Sequence, residues 1–323
     1  MTQTDESWPM VEEAVFRLFE EIAGEHTAIG PKLAELGWAD IESEYPVEAS
    51  QLLFRAQGRS LAHTDALARA MLDELAGVLD ESADSVVLPA ISDGCTPSSS
   101  SETVDGIVVG PLKGRVAVPV TGPNRGVSIA IVNAQNLTGQ RLDTFDKSVH
   151  WTAVSGPLEG DLRPASAGWN RALAAAHRAL ATELTGLTER MLQIAVEQAS
   201  SRVQFGAPIG SFQSMRHALA DGRAAFDGAR ALLNEAWCYG GNPLAHSAKA
   251  AAGRAHRIVA GTAMQTCGAI GLTAEHDLHR YVARGFQIDS LCGSYAQLES
   301  LFAEQLFNSH VSGGGLPPVV VCA

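Results

Sequence analysis

The 323-residue sequence predicts an α+β fold in which a helical region, a small β region and a second helical region follow one another. Apolar residues recur at helical spacing near the N-terminus and through most of the C-terminal half. Between them lie short β-branched runs separated by Gly, Pro, Asn and Asp. We therefore predict an N-terminal helical domain over 1–84, a small β domain over 85–163, a C-terminal four-helix bundle over 164–312 and a tail over 313–323.

The elements of each domain follow from these patterns. The N-terminal helices are predicted from apolar positions three and four residues apart, which include Val11, Val15, Leu18, Phe19, Ile22, Leu52, Leu53 and Ala56. The strands are predicted at 86–88, 106–109, 115–120, 127–132 and 150–154, with a low-complexity loop (GCTPSSSS) at 94–101. Four long amphipathic segments joined by Gly/Pro turns, at 173–199, 212–239, 244–267 and 288–307, predict the bundle.

Composition excludes several classes of protein. The chain is 46% hydrophobic and 18% charged, with a net charge of −13 and no basic run, so we expect neither nucleic acid nor an anionic membrane as a partner. No segment approaches the roughly 18 apolar residues of a membrane span, and the acidic N-terminus lacks an apolar leader. The five cysteines form no CxxC pair, which favours a reducing compartment. We expect a cytoplasmic protein.

The most informative stretch ends the first bundle helix. There a helical run finishes in SRVQFG at 201–206, a Pro/Gly turn follows, and Gln213 begins another helix. Arginine at a helix end suits a pyrophosphate because its planar guanidinium donates two parallel hydrogen bonds. The order and spacing resemble the signature of acyl-CoA dehydrogenases, in which this segment meets the FAD of the neighbouring subunit. The resemblance implies cofactor contacts from Arg202, Gln204, Phe205 and Gln213.

A second phrase, QTCGAIGLTAEH at 265–276, resembles the QxxGGxGY block of the same family. In these enzymes the Gln and the glycines line the adenosine part of FAD across the dimer interface. Glycine is needed there because a Cβ would block the close approach of the backbone to the dinucleotide. The resemblance assigns this role to Gln265, Gly268 and Gly271, with Ala269 in place of the second glycine of the usual pair.

Two further phrases extend the resemblance. LAELGWADI at 33–41 and LLFRAQGRSLAHT at 52–64 are similar to the N-terminal helical domain of these enzymes, although the Gly-rich loop usual between them is absent. The segment EHDLHRYVARGFQIDSLCGS at 275–294 resembles the steroid-type branch of the family. We expect no metal at His276 and His279, because no third ligand lies at suitable spacing.

The catalytic carboxylate of the family has no counterpart in this chain. In many members the base is the Glu of an IYEGT-like phrase, and that position is occupied here by Cys292. In the branched-chain enzymes the base lies on the first bundle helix, at a position that falls on Ala176. Glu183 and Glu189 lie too far along that helix to inherit the role, which leaves His177 as a weak candidate. We therefore expect no catalytic residue in this chain.

The β region is also short for the family. In full-length relatives its first half carries a TEP-and-GSD-like loop and a WxxT-like loop that bracket the flavin ring. Here the chain runs from Leu88-Pro89 through GCTPSSSS to DGIVVGPLKG, which resembles the later strands. The chain thus keeps the half-site that holds a neighbour's FAD tail and lacks the half-site for its own isoalloxazine.

This combination is similar to the shortened subunit of the heterotetrameric (α2β2) acyl-CoA dehydrogenases of actinobacterial steroid catabolism. The resemblance implies a longer acyl-CoA dehydrogenase subunit as partner, FAD as cofactor, a steroid side-chain CoA thioester as substrate, and an electron acceptor protein. Two alternatives remain open: a self-contained dehydrogenase with a cryptic base at His177 or Cys292, and a non-catalytic interaction subunit.

Overall fold

The computed structural model describes residues 7–122 and 126–311, so the tail predicted at 313–323 lies outside the described residues. The N-terminal helices are α1 (Trp8–Glu21), α2 (Ile29–Glu35), α3 (Trp38–Glu44), α4 (Pro46–Ser60) and α5 (Ala66–Leu75). Two short strands among them, β1 (His26–Thr27) and β2 (His63–Thr64), pair in parallel. Among the described residues, no helix combines the length and apolar character needed to cross a bilayer.

The β region forms two small sheets. Its strands are β3 (Ser85–Val86), β4 (Thr103–Val109), β5 (Arg115–Thr121), β6 (Val127–Asn133), β7 (Thr138–Arg141), β8 (Trp151–Pro157) and β9 (Arg163–Pro164). One sheet has the order β3-β5-β6-β9 and the other β4-β8-β7, and all pairs are antiparallel except β3 with β5. Valine side chains from both sheets share one buried core, which accounts for the Val-rich runs in the sequence.

The C-terminal region contains the long helices. They are α6 (Ser166–Ser201), α7 (Gln213–Tyr239), α8 (Asn242–Cys267), α9 (Leu278–Asp289) and α10 (Tyr295–Val311), and a hairpin of β10 (Val203–Gln204) and β11 (Ala207–Pro208) joins α6 to α7. Helix α6 packs against α4 and α5 as well as α7 and α8, and most of its residues are buried. The predicted α+β fold, with helices before and after a small β region, is confirmed.

The single helix predicted over 288–307 is wrong. Helix α9 ends at Asp289 and α10 begins at Tyr295, with a turn between them in which Cys292 and Gly293 have φ of 53° and 91°. The buried ammonium of Lys249 on α8 donates to the Asp289 carbonyl oxygen at 2.9 Å and also to the Gly293 carbonyl oxygen. The helix is interrupted because these carbonyl groups bond to a distant lysine, which local sequence does not reveal.

Helices α4 and α6 cross at two glycines. A Cβ on Gly58 would lie 2.3 Å from the backbone oxygen of Glu183, and a Cβ on Gly186 would lie 2.6 Å from that of Arg55. Both contacts are with backbone atoms, which cannot rotate away. The close approach of the two helices therefore requires glycine at both positions.

A buried arginine joins the three regions. The guanidinium of Arg284 on α9 donates to the carboxylate of Asp146 at 2.6 Å and to the carbonyl oxygens of Leu61 and Ala62 at 3.1 and 2.8 Å. Asp146 belongs to the β region, whereas Leu61 and Ala62 follow α4. Because an unpaired buried charge is costly, these bonds hold the three regions in one arrangement.

Candidate functional site

The turn after α6 and the end of α8 enclose an open groove of about 440 Å³. Its lining combines one arginine, two glutamines, two hydroxyl side chains, a glycine and four apolar side chains: Arg202, Gln204, Phe205, Ile209, Phe212, Ser214, Met215, Gln265, Thr266 and Gly268. The phrases at 201–206 and 265–276, which are distant in sequence, are thus neighbours in space. Five of the eight residues predicted to contact a cofactor lie in this groove.

The β10–β11 hairpin places an aromatic ring at the edge of the groove. Its two-residue turn is Phe205-Gly206, and both residues have positive φ, 55° and 82°. A positive φ is unfavourable for phenylalanine, and the side chain is also 95% exposed. The ring of Phe205 meets that of Phe212 edge-on, with 6.2 Å between centroids. The hairpin therefore presents an apolar side chain outward at a conformational cost.

Arg202 follows the last residue of α6 and supplies positive charge to the groove. Its backbone N–H donates to the Gln198 carbonyl oxygen at 3.0 Å, and its carbonyl oxygen accepts from Ile209 N–H at 2.9 Å, which fixes the start of the hairpin. Among the described residues, no carboxylate lies within ion-pair distance of its guanidinium, and its side chain is exposed. The charge is available to an anion in the groove.

Three of the predicted contact residues do not line the groove. Gln213 and Ala269 are exposed beside it. Gly271 is buried, and a Cβ there would lie 2.9 Å from Cys267 Cβ and 3.0 Å from Leu278 Cδ2. The structure therefore gives Gly271 a packing role, in which it lets the turn at 268–272 lie against α9. Gly268 differs, because it has a φ of 64° and its missing Cβ would meet nothing within 4 Å.

Apolar side chains are exposed around the groove. Leu272 is 64% exposed, and Val203, Ile270 and Phe212 are each more than a third exposed. Exposed apolar side chains grouped around a groove are typical of a surface that another molecule covers. The groove is thus open on a face suited to a second protein chain.

The two positions considered for a base lie elsewhere, in a closed part of the core. His177 is 0% exposed and Cys292 is 1% exposed. The ring Nε2 of His177 lies 2.8 Å from the backbone carbonyl oxygen of Cys292. Burial lowers the pKa of His177 well below its usual value and raises the pKa of the Cys292 thiol to about 12. Neither side chain is both accessible and basic.

Glu183 has a perturbed pKa but also lies within the core. Burial raises the pKa of its carboxyl to about 7. The carboxylate accepts a hydrogen bond from Gln57 Nε2 at 2.8 Å and lies 3.8 Å from the Arg284 guanidinium. It belongs to the network that joins the three regions, and sequence reasoning did not identify that network.

His276 and His279 lie at the start of α9. His276 Nδ1 accepts a hydrogen bond from the backbone N–H of Leu278 at 3.1 Å, and His279 Nδ1 donates to the carbonyl oxygen of His276 at 2.8 Å. Both rings therefore stabilise the first turn of the helix, as capping residues do.

The C-terminal part of the chain matches a known protein domain in sequence. Residues 167–291 match the acyl-CoA dehydrogenase C-terminal domain. The chain is 45% identical over 106 residues to acyl-CoA dehydrogenase IpdE2 of Mycobacterium tuberculosis, a match that covers 32% of this chain and 33% of that protein. It is 36% identical over 126 residues to IpdE2 of Mycolicibacterium smegmatis, a match that covers 39% of this chain and 40% of that protein. The chain thus spans less than half the length of the curated relatives it matches.

Two solved structures have a similar fold over nearly the whole chain. A variant of the Tcur3481–Tcur3483 steroid ACAD gives a TM-score of 0.75 at 22% identity and covers 95% of this chain and 99% of its own. The ChsE4–ChsE5 complex from Mycobacterium tuberculosis gives a TM-score of 0.72 at 20% identity, and the match covers 94% of this chain and 98% of the chain in that structure. Residues 167–291 thus match the acyl-CoA dehydrogenase C-terminal domain in sequence, and nearly the whole chain has the fold of these two structures.

Proposed function

We propose that this chain is the shortened subunit of a flavin-dependent acyl-CoA dehydrogenase, and that it supplies the adenosine and pyrophosphate half of an FAD site to a longer partner. The observation that carries the proposal is the contrast between two sites in one chain. The groove at Arg202 is open and faces outward, whereas the positions of the family's base at Cys292 and beside His177 are closed.

The groove residues fit the adenosine and pyrophosphate end of FAD. Arg202 is exposed and has no carboxylate partner among the described residues, so its guanidinium is free for a phosphate. Gln204 and Gln265 offer amide groups to hydroxyl or carbonyl partners, and the apolar side chains suit a flat ring. Gly268 leaves open space where a Cβ would stand, so the backbone can be approached closely.

The partner is proposed to supply the base and the pocket for the flavin ring. Bound FAD would supply the hydride acceptor for the β-carbon of the acyl group, and a carboxylate would be needed to take the α-proton. Cys292 is a poor base because its thiol stays protonated, with a pKa of about 12, and the His177 ring nitrogens are closed to solvent. The chain's own part is therefore to bind and orient one end of the cofactor at the subunit interface.

The names of similar proteins support the substrate class and the assembly. The Tcur3481–Tcur3483 protein is named as a steroid ACAD, and ChsE4–ChsE5 is a complex. We propose that this chain also acts on the CoA thioester of a steroid side chain, within a heterotetramer of two short and two long chains.

The activity is tested by reconstitution. The chain is expressed alone and together with a longer acyl-CoA dehydrogenase subunit, and each sample is mixed anaerobically with a steroid side-chain CoA thioester. We expect the complex to lose its flavin absorbance on reduction, and the single chain to be colourless and inactive. Turnover by the single chain would instead favour a self-contained enzyme, and a colourless complex would favour a non-catalytic interaction subunit.

A further inference from the structure

Three side chains that can bind a metal meet in the core next to Cys292. They come from different parts of the chain: Cys95 from the loop before β4, His177 from α6 and His246 from α8. Cys95 Sγ lies 3.9 Å from His177 Nε2, and the rings of His177 and His246 meet edge-on with 4.5 Å between centroids. Cys95 Sγ and one ring nitrogen from each histidine all lie within 4.8 Å of one another.

Two ring nitrogens in this cluster lack hydrogen-bond partners among the described residues. His177 is fully buried, and its Nδ1 has no partner, as is also true of the buried Nε2 of His246. Buried polar atoms without partners are rare in native proteins and point to a missing water or ion. The other ring nitrogen of His177, Nε2, is held by the Cys292 carbonyl oxygen at 2.8 Å. A histidine held by a carbonyl group at one nitrogen and free at the other has the arrangement of metal-binding histidines.

We propose that Cys95, His177 and His246 bind a zinc ion. Thiolate and imidazole are the ligands that zinc prefers, at about 2.3 and 2.0 Å, and tetrahedral geometry then separates sulfur from nitrogen by roughly 3.6 Å. Cys95 Sγ and one ring nitrogen of each histidine lie within 4.8 Å of one another, so small side-chain movements bring the three ligands to these distances. The ion ties the loop before β4 to α6 and α8, at the place where the family carries its catalytic base, and it does not depend on the FAD half-site.

The test is metal analysis of the full chain, alone or in its complex. We expect one zinc per copy of this chain by mass spectrometry. After chelation, titration with cobalt(II) should give thiolate-to-cobalt absorption and tetrahedral ligand-field bands that saturate at one equivalent. Cys95→Ser and His246→Gln should each weaken zinc binding at least about 100-fold. The matched controls, Cys238→Ser and His217→Gln, change an exposed cysteine and an exposed histidine and should leave the stoichiometry unchanged.

The cobalt titration of the wild-type chain needs no variant, so it decides the matter even if a core substitution prevents folding. A chain that contains no zinc and gives no saturable cobalt spectrum would overturn the proposal. So would a cobalt spectrum that is unchanged in folded Cys95→Ser protein.

Discussion

His177 Nε2 lies 2.8 Å from the carbonyl oxygen of Cys292, and this contact joins the two sequence positions at which the chain could have carried a base. The resemblance to acyl-CoA dehydrogenases predicts that Cys292 stands where many members carry a Glu, and that His177 follows the position used in the branched-chain enzymes. Both are closed to solvent. Both side chains are therefore part of the packed core, which supports the proposal that the base comes from the partner.

The first prediction concerns the base. Cys292→Ala and His177→Gln in the reconstituted complex should each leave the rate of flavin reduction within a few-fold of wild type, because we propose that the partner supplies the carboxylate. Loss of a true general base costs on the order of 10²–10⁴-fold. The measurement is single-turnover bleaching per bound flavin, so that any loss of folded protein is corrected. A thousand-fold slower bleach for His177→Gln, with substrate binding retained, would place the base in this chain.

The second prediction concerns Arg202. Arg202→Ala should weaken FAD retention by the complex roughly ten- to hundred-fold, because one charge-assisted hydrogen bond contributes about 1.5–3 kcal/mol. Assembly should persist, since the groove keeps its apolar side chains. Flavin occupancy is measured after dilution at low FAD concentration. Arg230→Ala is the control, because Arg230 also lies on the bundle surface but contacts Asp227 outside the groove. Equal occupancy in both variants would show that Arg202 does not meet the cofactor.

The third prediction concerns pH and Glu183. Burial raises the pKa of its carboxyl from 4.5 to about 7, so the unfolded chain releases this proton at lower pH than the folded chain. The contribution of this group to stability is therefore fully present below pH 4.5 and is lost as the pH rises through 7. The free energy of unfolding lost across this pH range is roughly 3 kcal/mol. Glu183→Gln should remove this loss, so that the variant becomes more stable relative to wild type between pH 4.5 and 7.

Glu189 on the same helix provides a control of opposite sign. Burial alone would raise the pKa of its carboxyl, but hydrogen bonds from Arg55 at 3.0 and 2.9 Å outweigh that effect and lower it. The stability from Glu189 is thus present above the unfolded pKa and is lost as the pH falls. Denaturant unfolding across this pH range should show Glu189→Gln losing stability at neutral pH. If the free energy of unfolding changed with pH in the same way for wild type and Glu183→Gln, the raised pKa of Glu183 would be contradicted.

The fourth prediction concerns the crossing of α4 and α6. Gly58→Ala would place a Cβ 2.3 Å from the backbone oxygen of Glu183, so the helices must separate. We expect a loss of about 2–3 kcal/mol in the free energy of unfolding, in the range of overpacking in a core. Gly228→Ala is the control, because its Cβ would meet nothing within 4 Å. That change should stabilise α7 by roughly 0.5–1 kcal/mol. Equal stability of the two variants would mean that the helices do not touch at Gly58.

The order of the helical and β regions was predicted from the sequence because it depends on local patterns, and half of the residues that line the groove were also named. Helical spacing and Val-rich runs are read within one segment, and the phrases at 201–206 and 265–276 each keep their own signature. Their meeting in one groove came from the family resemblance. Gly271 shows the limit of such an assignment, since its neighbours Cys267 and Leu278 give it a packing role that the phrase alone does not reveal.

The buried polar contacts that the sequence did not predict all join segments that are distant in the chain. Arg284 bonds to Asp146 and to the carbonyl groups after α4, and Lys249 bonds to the turn that divides α9 from α10. The cluster of Cys95, His177 and His246 likewise draws on three separate elements. The only signal for it in the sequence was the presence of histidines on two apolar helices, where a polar side chain needs a partner.

We propose that this chain holds one end of a partner's FAD and has no flavin site of its own. The decisive measurement is the flavin content of the purified complex with the longer subunit, from flavin absorbance and the measured mass of the assembly. We expect one FAD for each pair of unlike chains, and none in the single chain. Two FAD for each such pair would rule the proposal out.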